Sequence, residues 1–380
     1  MRIGVDIRCL MDGGRTGVEE YTLSLLNSML KQNQTDTFVL FANSRKPMLL
    51  PKIEAPNVEW RTFSYPNKIF NTALKIFRWP KIDQLIGGVD VLFVPSVRLA
   101  PCSVKCPIVV TFHDLSFVRH PEYFSWKRRV WHWFMEPKSL AKNAKKIIAV
   151  SKTTANDLEE LYKIPNEKIA VVHSGVHRNF RPVDFHSEET KKVKERYSLP
   201  EKFILFLGTI EPRKNIDGLI SAYEEIRRKG VEQKLVIAGV RGWVKKDFFQ
   251  RIKTSEFAKD IILTGFVKDE DKPALYSIAS LFVYPSFYEG FGFPPLEALL
   301  CGTPVITSYN SAIPEIAGQW ATLVNPYDPN ELAVVILEEL KKEKKVLPTV
   351  STEVLEKYNW ERAGRETLEV LKEAIHENSK

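Results

Sequence analysis

The sequence predicts an α/β protein built from two parallel-sheet domains that face a central cleft. Short β-rich runs alternate with runs whose apolar residues recur at helical spacing, which is typical of βαβ units. This alternation occurs twice, in two blocks of similar size. One run, "CPIVVTF" at 106–112, is almost wholly apolar, as expected for a strand buried on both faces of a parallel sheet.

The first block begins with "RIGVDI" at 2–7, which has neither the long apolar region nor the cleavage site of a signal peptide. We therefore interpret it as a first strand of the mature protein. Helical spacing follows at 17–32, and "KTTANDLEELYK" predicts a helix capped by its own Ser/Thr cluster. The remaining strands predicted in this block are "TFVLFAN", "VDVLFVPS", "KKIIAVS" and "IAVVHSG".

The second block follows a polar, basic segment at 177–200, part of which we interpret as a linker. Its predicted strands are "KFILFLGT", "QKLVIAG", "DIILTGF", "LFVYPS" and "TPVITS", and its predicted helices include "NIDGLISAYEEIRRKG" and "KPALYSIAS". Ligands of parallel sheets bind beyond the carboxyl ends of the strands. Candidate functional residues are therefore expected directly after strands.

The composition is that of a globular protein, and 380 residues suit two domains. There is no apolar run of about 18 residues that could span a membrane. Four scattered cysteines predict free thiols in a reducing cytoplasm, and Cys102 and Cys106 lack the further ligands of a zinc site. The net charge of +8 favours anionic partners: nucleotides, phosphates, nucleic acid or an acidic membrane surface.

Two candidate features follow strands of the first block. Gly17, with Gly13 and Gly14 before it, would let the backbone approach a ligand, or would simply form a tight turn. Its spacing is not Gly-x-Gly-x-x-Gly, so a dinucleotide site is poorly supported. His113, after "IVVTF", is placed either to donate a hydrogen bond to a substrate hydroxyl or act in proton transfer, or to serve a structural role.

Two charged clusters follow strands of the second block. Arg213 and Lys214, at a strand-to-helix corner, form either an anion site or a solvated surface pair. Asp269 and Asp271 form a D-x-D pattern, by which some transferases hold a divalent metal. Because they precede a predicted helix, whose N-terminus acids stabilise, we expect no metal there.

The run "EGFGFPPLEALL" at 289–300 combines two acids with a glycine-rich corner at a helix start. Gly290 and Gly292 free the backbone to expose its amides, and the proline pair that follows fits a first helical turn. Glu289 lies in the loop and Glu297 about one turn into the helix. Such acids are good acceptors for sugar hydroxyls, while the helix start suits a phosphate, so the pattern indicates a nucleotide sugar.

This run resembles the motif of two glutamates separated by seven residues in retaining glycosyltransferases of the GT-B fold, in particular family 4. The resemblance extends over nearly the whole chain. The segments that carry it, in the same order as in the family, are "TGVEEYTLSLL", "TFHDLSFVRHPEYF", "LFLGTIEPRKNIDGLI", "LFVYPSFYEGFGFPPLEALLCGTPVITS", "SAIPEIAG" and "YNWERAGRETLEV".

The resemblance implies roles for the residues around the transferred sugar. Glu289 matches the acid that contacts the sugar's hydroxyls, and His113 matches the histidine near its C6 hydroxyl. Lys214 matches the basic residue on the diphosphate. Many members carry an arginine where this chain has Thr209, so Arg213 is expected to supply the second cation. The "GTIEPRKN" form is common among mannosyl- and rhamnosyl-type members, which favours GDP-mannose as the donor.

The resemblance also implies donor-binding positions. Glu297 matches the acid that accepts hydrogen bonds from the ribose, Val267 a position whose backbone reads the base, and Gly17 the loop glycine near the phosphates. The loop positions whose backbone amides meet the sugar and the diphosphate are Phe291, Gly292 and Phe293.

The resemblance divides the chain into an acceptor-binding domain at 1–180 and a nucleotide-sugar-binding domain at 181–362, with a helix at 363–380 returning to the first. It implies retaining transfer of a hexose without metal or other cofactor, in cell-surface polysaccharide or lipopolysaccharide synthesis. Within the same fold, a sugar-nucleotide epimerase or hydrolase is the nearest alternative. A catalytically silent nucleotide-sugar-binding protein is another.

Residues 126–146 carry seven Lys or Arg and one acid, interleaved with aromatic residues, and "NKIFNTALKIFRWPK" is similarly basic and apolar. Such segments suit an anionic membrane interface, and a lipid-linked glycan acceptor would explain them. They also fit ordinary helices with aromatic residues in the core and a solvated basic face. Nucleic acid is not expected as a partner, and the protein is expected in the cytoplasm, either free or peripheral on the inner face of the membrane.

Overall fold

The chain folds into two compact α/β units. A computed structural model describes residues 1–11, 17–45, 53, 55–243, 247–342 and 348–378. The first unit comprises Met1–Pro121, Ser125–Gly175 and Tyr358–Lys380, and the second comprises Glu122–Phe124 and Val176–Lys357. Gly13 and Gly14 of the first predicted turn lie outside the described residues.

The first unit contains a seven-stranded parallel sheet in the order β3-β2-β1-β4-β5-β6-β7. Its strands are β1 (Arg2–Asp6), β2 (Thr37–Asn43), β3 (Val58–Phe63), β4 (Val91–Val94), β5 (Ile108–Phe112), β6 (Lys146–Ala149) and β7 (Ile169–Val171). The order reverses between β1 and β4, as in doubly wound folds. The edge strand β3, none of whose residues is buried, alternates apolar and polar residues only over Val58–Arg61 and was not predicted.

Helices connect these strands. They are α1 (Gly17–Gln32), α2 (Asn67–Ile76), α3 (Ile82–Leu85), α4 (Ser116–Arg119), α5 (Trp126–Met135), α6 (Pro137–Asn143) and α7 (Lys152–Tyr162). The predicted Ser/Thr cap of α7 is confirmed, since the Ser151 hydroxyl accepts a hydrogen bond from the Thr154 N–H at 3.1 Å. The central strands are buried on both faces, which explains their continuous apolar runs.

The second unit contains a six-stranded parallel sheet in the order β10-β9-β8-β11-β12-β13. Its strands are β8 (Phe203–Leu207), β9 (Lys234–Ala238), β10 (Ile261–Gly265), β11 (Leu281–Tyr284), β12 (Val305–Ser308) and β13 (Thr322–Val324). Here the order reverses between β8 and β11, so the two units repeat one topology. The prediction of two Rossmann-like parallel-sheet domains is confirmed.

The helices of the second unit are α8 (Glu188–Arg196), α9 (Ile216–Arg228), α10 (Phe248–Thr254), α11 (Lys272–Ile278), α12 (Phe293–Leu300), α13 (Ile313–Ile316), α14 (Pro329–Lys341) and α15 (Pro348–Lys357). Helix α8 lies within the polar segment that the sequence marked as part linker. It buries Thr190 and Val193, and Arg196 forms an ion pair with Asp271 at 2.6 Å. One buried aliphatic residue in about two turns gives too weak a helical repeat of apolar residues to predict this helix from the sequence.

The last helix, α16 (Trp360–Asn378), packs on α1 within the first unit. The Ser28 hydroxyl donates to the Trp360 carbonyl at 2.6 Å. A Cβ on Gly364 would lie 2.6 Å from the Ser28 Oγ, so the close approach of the two helices requires glycine there.

Among the described helices, none combines the length and the apolar character needed to cross a bilayer. All four cysteines are free thiols. In the part of the chain that the structure describes, no group of three or more His, Cys, Asp or Glu side chains is arranged to hold a metal ion.

Candidate active site

The charged residues predicted in the second unit converge where its strand order reverses. Arg213 and Lys214 follow β8, and Glu289 follows β11, the strand that pairs with β8. Because the carboxyl ends of neighbouring parallel strands share one edge of the sheet, the topology brings these side chains together.

The corner after β8 is a single 3₁₀ turn, Pro212–Lys214, followed directly by α9. Asn215 lies between them in the left-handed region (φ 55°), and its Oδ1 accepts a hydrogen bond from the Gly218 N–H at 3.2 Å. Its Nδ2 donates to the Pro326 carbonyl at 2.6 Å. Asn tolerates this backbone conformation and caps the helix, so "PRKN" fixes the position of both cations.

Glu289 bridges the two cations. Its Oε1 lies 2.6 Å from Lys214 Nζ, and its Oε2 lies 2.9 Å from Arg213 Nη1. Arg213 also donates to the Tyr288 carbonyl at 2.7 Å and to Glu211 Oε1 at 2.8 Å. Lys214 Nζ donates to the Tyr284 hydroxyl at 2.5 Å. Two carboxylates and two cations thus form one hydrogen-bonded cluster with no formal net charge.

Burial sets the electrostatics of this cluster. Desolvation alone would raise the pKa of Glu289, but the charges of Arg213 and Lys214 outweigh it and lower that pKa to about 2. Burial and the Arg213 charge lower the pKa of Lys214 from its ordinary value, while Glu289 and Glu211 oppose them. Glu289 is therefore fully ionised at neutral pH and can accept hydrogen bonds there.

The loop after Glu289 turns the chain into α12. The Glu289 N–H donates to the Ser311 hydroxyl at 2.9 Å, which fixes the start of the loop. Gly292 has φ 103°, and a Cβ there would lie 2.6 Å from Ile313 Cδ1, so this position requires glycine. The prolines predicted in the first turn are confirmed at the second and third helical positions. Since proline has no N–H, the amide donors of this first turn reduce to Phe293 and the residue after the prolines.

Phe291 and Phe293 flank Gly292, with ring centroids 5.0 Å apart. Glu297 lies about one turn into α12, where its Oε2 accepts a hydrogen bond from the Tyr276 hydroxyl at 2.8 Å. Burial raises the pKa of Glu297, although the Tyr276 hydrogen bond and the Lys272 charge act in the opposite direction. Glu297 is thus desolvated, with the Tyr276 hydroxyl as its hydrogen-bond partner.

The other donor-binding candidates of this unit also follow strands. Thr209 lies two residues after β8, and Val267 lies two residues after β10 and is buried. The D-x-D acids are engaged elsewhere: Asp271 pairs with Arg196 and accepts a hydrogen bond from the Tyr197 hydroxyl, and Asp269 pairs with Lys272 at 2.7 Å.

His113 and Gly17 belong to the first unit. Gly17 is the first residue of α1, after β1. His113 follows β5, and its Nε2 lies 2.9 Å from the Pro95 carbonyl, which can only accept. Nε2 therefore carries the proton, and burial lowers the pKa of His113, so the neutral ring presents Nδ1 as an acceptor. The geometry favours accepting a hydrogen bond from a hydroxyl over donating one.

Sequence reasoning missed two members of the cluster, Glu211 and Tyr284. Both had a signal, since Glu211 lies in "IEPRKN" and Tyr284 ends the β-rich run "LFVYPS". Glu211 follows β8, two residues before Arg213. Tyr284 ends β11, which pairs with β8, so both residues lie at the same edge of the sheet as Arg213. The predicted anion site rested on Arg213 and Lys214 alone, so Glu211 and Tyr284 were not predicted.

Comparison with known proteins agrees with this architecture. The family described as "Glycosyl transferases group 1" matches residues 187–349, and "Glycosyltransferase Family 4" matches residues 15–180. O-antigen chain mannosyltransferase B of Escherichia coli is 32% identical over 268 residues, which are 70% of each chain. The chain therefore belongs to the family 4 glycosyltransferases, which are two-domain GT-B enzymes.

A second relative is the serotype-specific mannosyltransferase WbdA of Escherichia coli, 31% identical over 253 residues. These residues are 65% of this chain but only 31% of WbdA, so the chain corresponds to about a third of that protein. The crystal structure of HepE from Anabaena in complex with UDP-glucose matches the fold with a TM-score of 0.72 and 20% identity, over 98% of this chain and all of that one.

Proposed function

We propose that this glycosyltransferase transfers mannose from GDP-mannose to a lipid-linked glycan acceptor, with retention of anomeric configuration and without a metal ion. The reaction would contribute to O-antigen or a similar cell-surface polysaccharide. The observation that carries the proposal is the buried cluster of Arg213, Lys214 and Glu289 at the strand-order reversal. The names of the relatives, both mannosyltransferases, support the choice of sugar.

The chemistry needs stabilisation of the negative charge that develops on the departing diphosphate. Arg213 and Lys214 supply two cations, and the start of α12 adds its amides and positive end. Both cations bond to Glu289, which holds their charged groups at this edge of the sheet. The site is thereby held in its charged geometry before the donor binds, which lowers the reorganisation that the reaction requires.

Glu289 and Glu297 would hold the two ends of the donor. Glu289 is ionised at neutral pH and accepts hydrogen bonds from the sugar's hydroxyls. It is too weak a base to remove a proton from an alcohol, and in its ionised form it has none to give. We therefore assign it to positioning the sugar, with a leaving phosphate oxygen taking the acceptor's proton. Glu297 would accept from the ribose hydroxyls in place of the Tyr276 hydroxyl.

Two measurements test the proposal on the full chain. A thermal-shift panel of GDP, GDP-mannose, UDP-glucose and dTDP-rhamnose should give the largest stabilisation with the guanosine compounds. Incubation with GDP-mannose and a synthetic octyl mannoside should give a mannosylated product whose new linkage, examined by NMR, keeps the donor's anomeric configuration.

Each failure has a distinct meaning. Stabilisation by GDP-mannose without any product or free mannose would favour a silent binding protein. Release of free mannose or formation of an epimerised nucleotide sugar would favour a hydrolase or epimerase. Stronger stabilisation by another nucleotide sugar would overturn the assignment of the donor but would not contradict the proposed transfer reaction.

A further inference from the structure

Two helices of the first unit expose apolar and basic side chains to an unusual degree. We call residues 67–81 and 126–135, which contain α2, the segment after it, and α5, the aromatic–basic face. Of the ten residues of α5, Met135 is the one that is buried. Helix α2 buries Phe70 and Leu74 and turns its other side outward.

Many of the exposed side chains of this face are large and apolar. Trp126 is 70% exposed, Trp133 73% and Phe77 73%. The others are Ile69, Ile76, Trp79, Val130 and Trp131. Scattered apolar residues are normal on a protein surface, but four tryptophans among eight exposed apolar residues on two adjoining helices indicate a partner.

The two helices form one surface because their side chains interlock. Lys75 Nζ lies 3.9 Å from the ring centroid of Trp133 and 4.4 Å from that of Phe134. This buried ammonium has no hydrogen-bond partner among the described residues, so the aromatic rings are its main neighbours. At the edge of the face, Arg78 Nη2 bonds to Glu136 Oε2 at 2.9 Å.

The charge of the face has a single sign. Its 25 residues contain seven Lys or Arg and no Asp or Glu. Helix α8 of the second unit shows the contrast, because its four basic residues are interleaved with three acids and three of them form ion pairs with nearby carboxylates. An acid-free basic surface attracts an anionic partner over its whole extent.

A cavity of about 820 Å³ adjoins the face. Its lining includes Lys75, Arg129, Trp133, Lys138 and Lys142, together with Glu136, which pairs with Arg78. Four basic side chains thus line a concave site beside an exposed indole. Such a site can bind a phosphate group, with apolar surface next to it.

We propose that the aromatic–basic face docks the first unit onto a bilayer that contains anionic phospholipids. Tryptophans at the headgroup level with basic residues among them are the arrangement that such an interface favours. A second copy of the chain fits poorly, because an isologous contact would set seven positive charges against seven. The inference deepens the proposed function, on which it rests for its purpose, since docking would bring a lipid-linked acceptor within reach.

Liposome flotation of the full chain tests the proposal without donor or acceptor. The protein should float with vesicles of phosphatidylglycerol and phosphatidylcholine at low salt and not with phosphatidylcholine alone. Because exposed charges are screened over about 8 Å at physiological ionic strength and about 3 Å at 1 M, binding should weaken strongly at high salt. Equal flotation with neutral vesicles, or no flotation with either, would overturn the proposal.

Matched variants locate the binding surface. Changing Lys127, Arg128 and Arg129 to Gln should weaken vesicle binding on the order of 100-fold. The control changes Lys191, Lys192 and Lys194 of α8 to Gln, which removes the same charge from the second unit and should change binding little. Equal loss in both triple variants would show that net charge alone, and not the face, is responsible.

A second pair of variants tests the aromatic contribution. Trp133→Ala should weaken vesicle binding several-fold or more, and Phe185→Ala should not. Phe185 is a close match, because Lys194 Nζ lies 3.9 Å from its ring centroid, the same distance as in the Lys75–Trp133 pair. Circular dichroism verifies that each variant is folded.

Two further readouts separate the outcomes. The thermal shift with GDP-mannose should be the same in Trp133→Ala and the unaltered chain, so a failure of docking is distinguishable from a failure of the donor assignment. Tighter binding to duplex DNA than to anionic vesicles, or concentration-dependent dimerisation lost in Trp133→Ala, would assign the face to a different partner and overturn the proposal.

Discussion

Glu289 and Glu297 are the same residue type, eight positions apart, yet the fold gives them opposite electrostatics. Glu289 lies in the loop before α12 against two cations, and its pKa falls to about 2. Glu297 lies one turn into α12 with a tyrosine hydroxyl as its partner, and burial raises its pKa. Two otherwise similar carboxylates thereby differ in how readily they ionise.

The difference shows that desolvation favours the neutral form of a carboxyl group unless a nearby charge reverses it. Glu289 has such charges because β8 and β11 are neighbours in the sheet, which places residues 213 and 214 beside residue 289. Glu297 points to α11, which contributes the Tyr276 hydroxyl and the charge of Lys272, and these do not outweigh desolvation. The contrast depends on strand order rather than on the local sequence of either acid.

Removal of Glu289 should have the largest effect. Glu289→Ala removes the proposed sugar contact and leaves Arg213 and Lys214 without their shared partner, so kcat/KM should fall roughly 10²–10³-fold. Steady-state transfer assays measure this, with Glu256→Ala, an exposed glutamate that pairs with Arg228, as the control. Wild-type activity in Glu289→Ala would remove this cluster from the active site.

Lys214→Met should lower kcat/KM on the order of 100-fold, because it removes one of the two cations that we propose face the diphosphate. The matched control is Lys229→Met, which removes an exposed lysine paired with Glu225 at 3.1 Å. The effect of Lys214→Met should appear in kcat as well as in donor KM, since charge on the diphosphate grows in the transition state. A change confined to KM would contradict that role.

The two acids should contribute to stability with opposite pH dependence. The lowered pKa of Glu289 stabilises the fold above pH 4.5, on the order of 3 kcal/mol, and this contribution is lost as pH falls from 4.5 toward 2. The raised pKa of Glu297 stabilises the fold below pH 4.5, and that contribution is lost as pH rises through the raised value.

Urea unfolding between pH 3 and 7 of the unaltered chain, Glu289→Gln and Glu297→Gln measures both contributions. The stability difference caused by Glu289→Gln should shrink toward low pH. With rising pH, Glu297→Gln should gain stability relative to the unaltered chain. The same slope for both variants would contradict the comparison.

Tyr276→Phe should produce a smaller effect confined to donor binding. It removes the hydroxyl that orients Glu297, so donor KM should rise about three- to tenfold while kcat changes little. Tyr223→Phe serves as the control, because that buried hydroxyl bonds backbone carbonyls of the same unit and contacts neither acid. A large fall in kcat for Tyr276→Phe would place Glu297 nearer the reacting atoms than we propose.

EDTA should have the smallest effect. If Arg213, Lys214 and the helix start neutralise the diphosphate, chelation should change the transfer rate less than about twofold. Full loss of activity with EDTA, restored by Mg²⁺ or Mn²⁺, would show that a metal shares this task.

Much of this architecture was predictable from the sequence. The repeated βα alternation predicted two parallel-sheet domains, and the apolar runs predicted most strands, because strands buried on both faces are predominantly apolar. Edge strand β3 and helix α8 were not predicted. Each buries few residues or none, so the spacing of apolar residues gives only a weak signal there. The candidate cations and acids were found because chemistry in such sheets follows strand ends.

The sequence by itself determined the backbone turn at "PRKN", the left-handed conformation at Gly292 and the start of α12 at its prolines, because backbone sterics act within a few residues. Only the tertiary structure decided that Arg213, Lys214 and Glu289 form one cluster with Glu211 and Tyr284. It also decided that the pKa of Glu289 is lowered and that of Glu297 is raised. Strand order and burial set charge proximity and desolvation, and neither is encoded within one short stretch of chain.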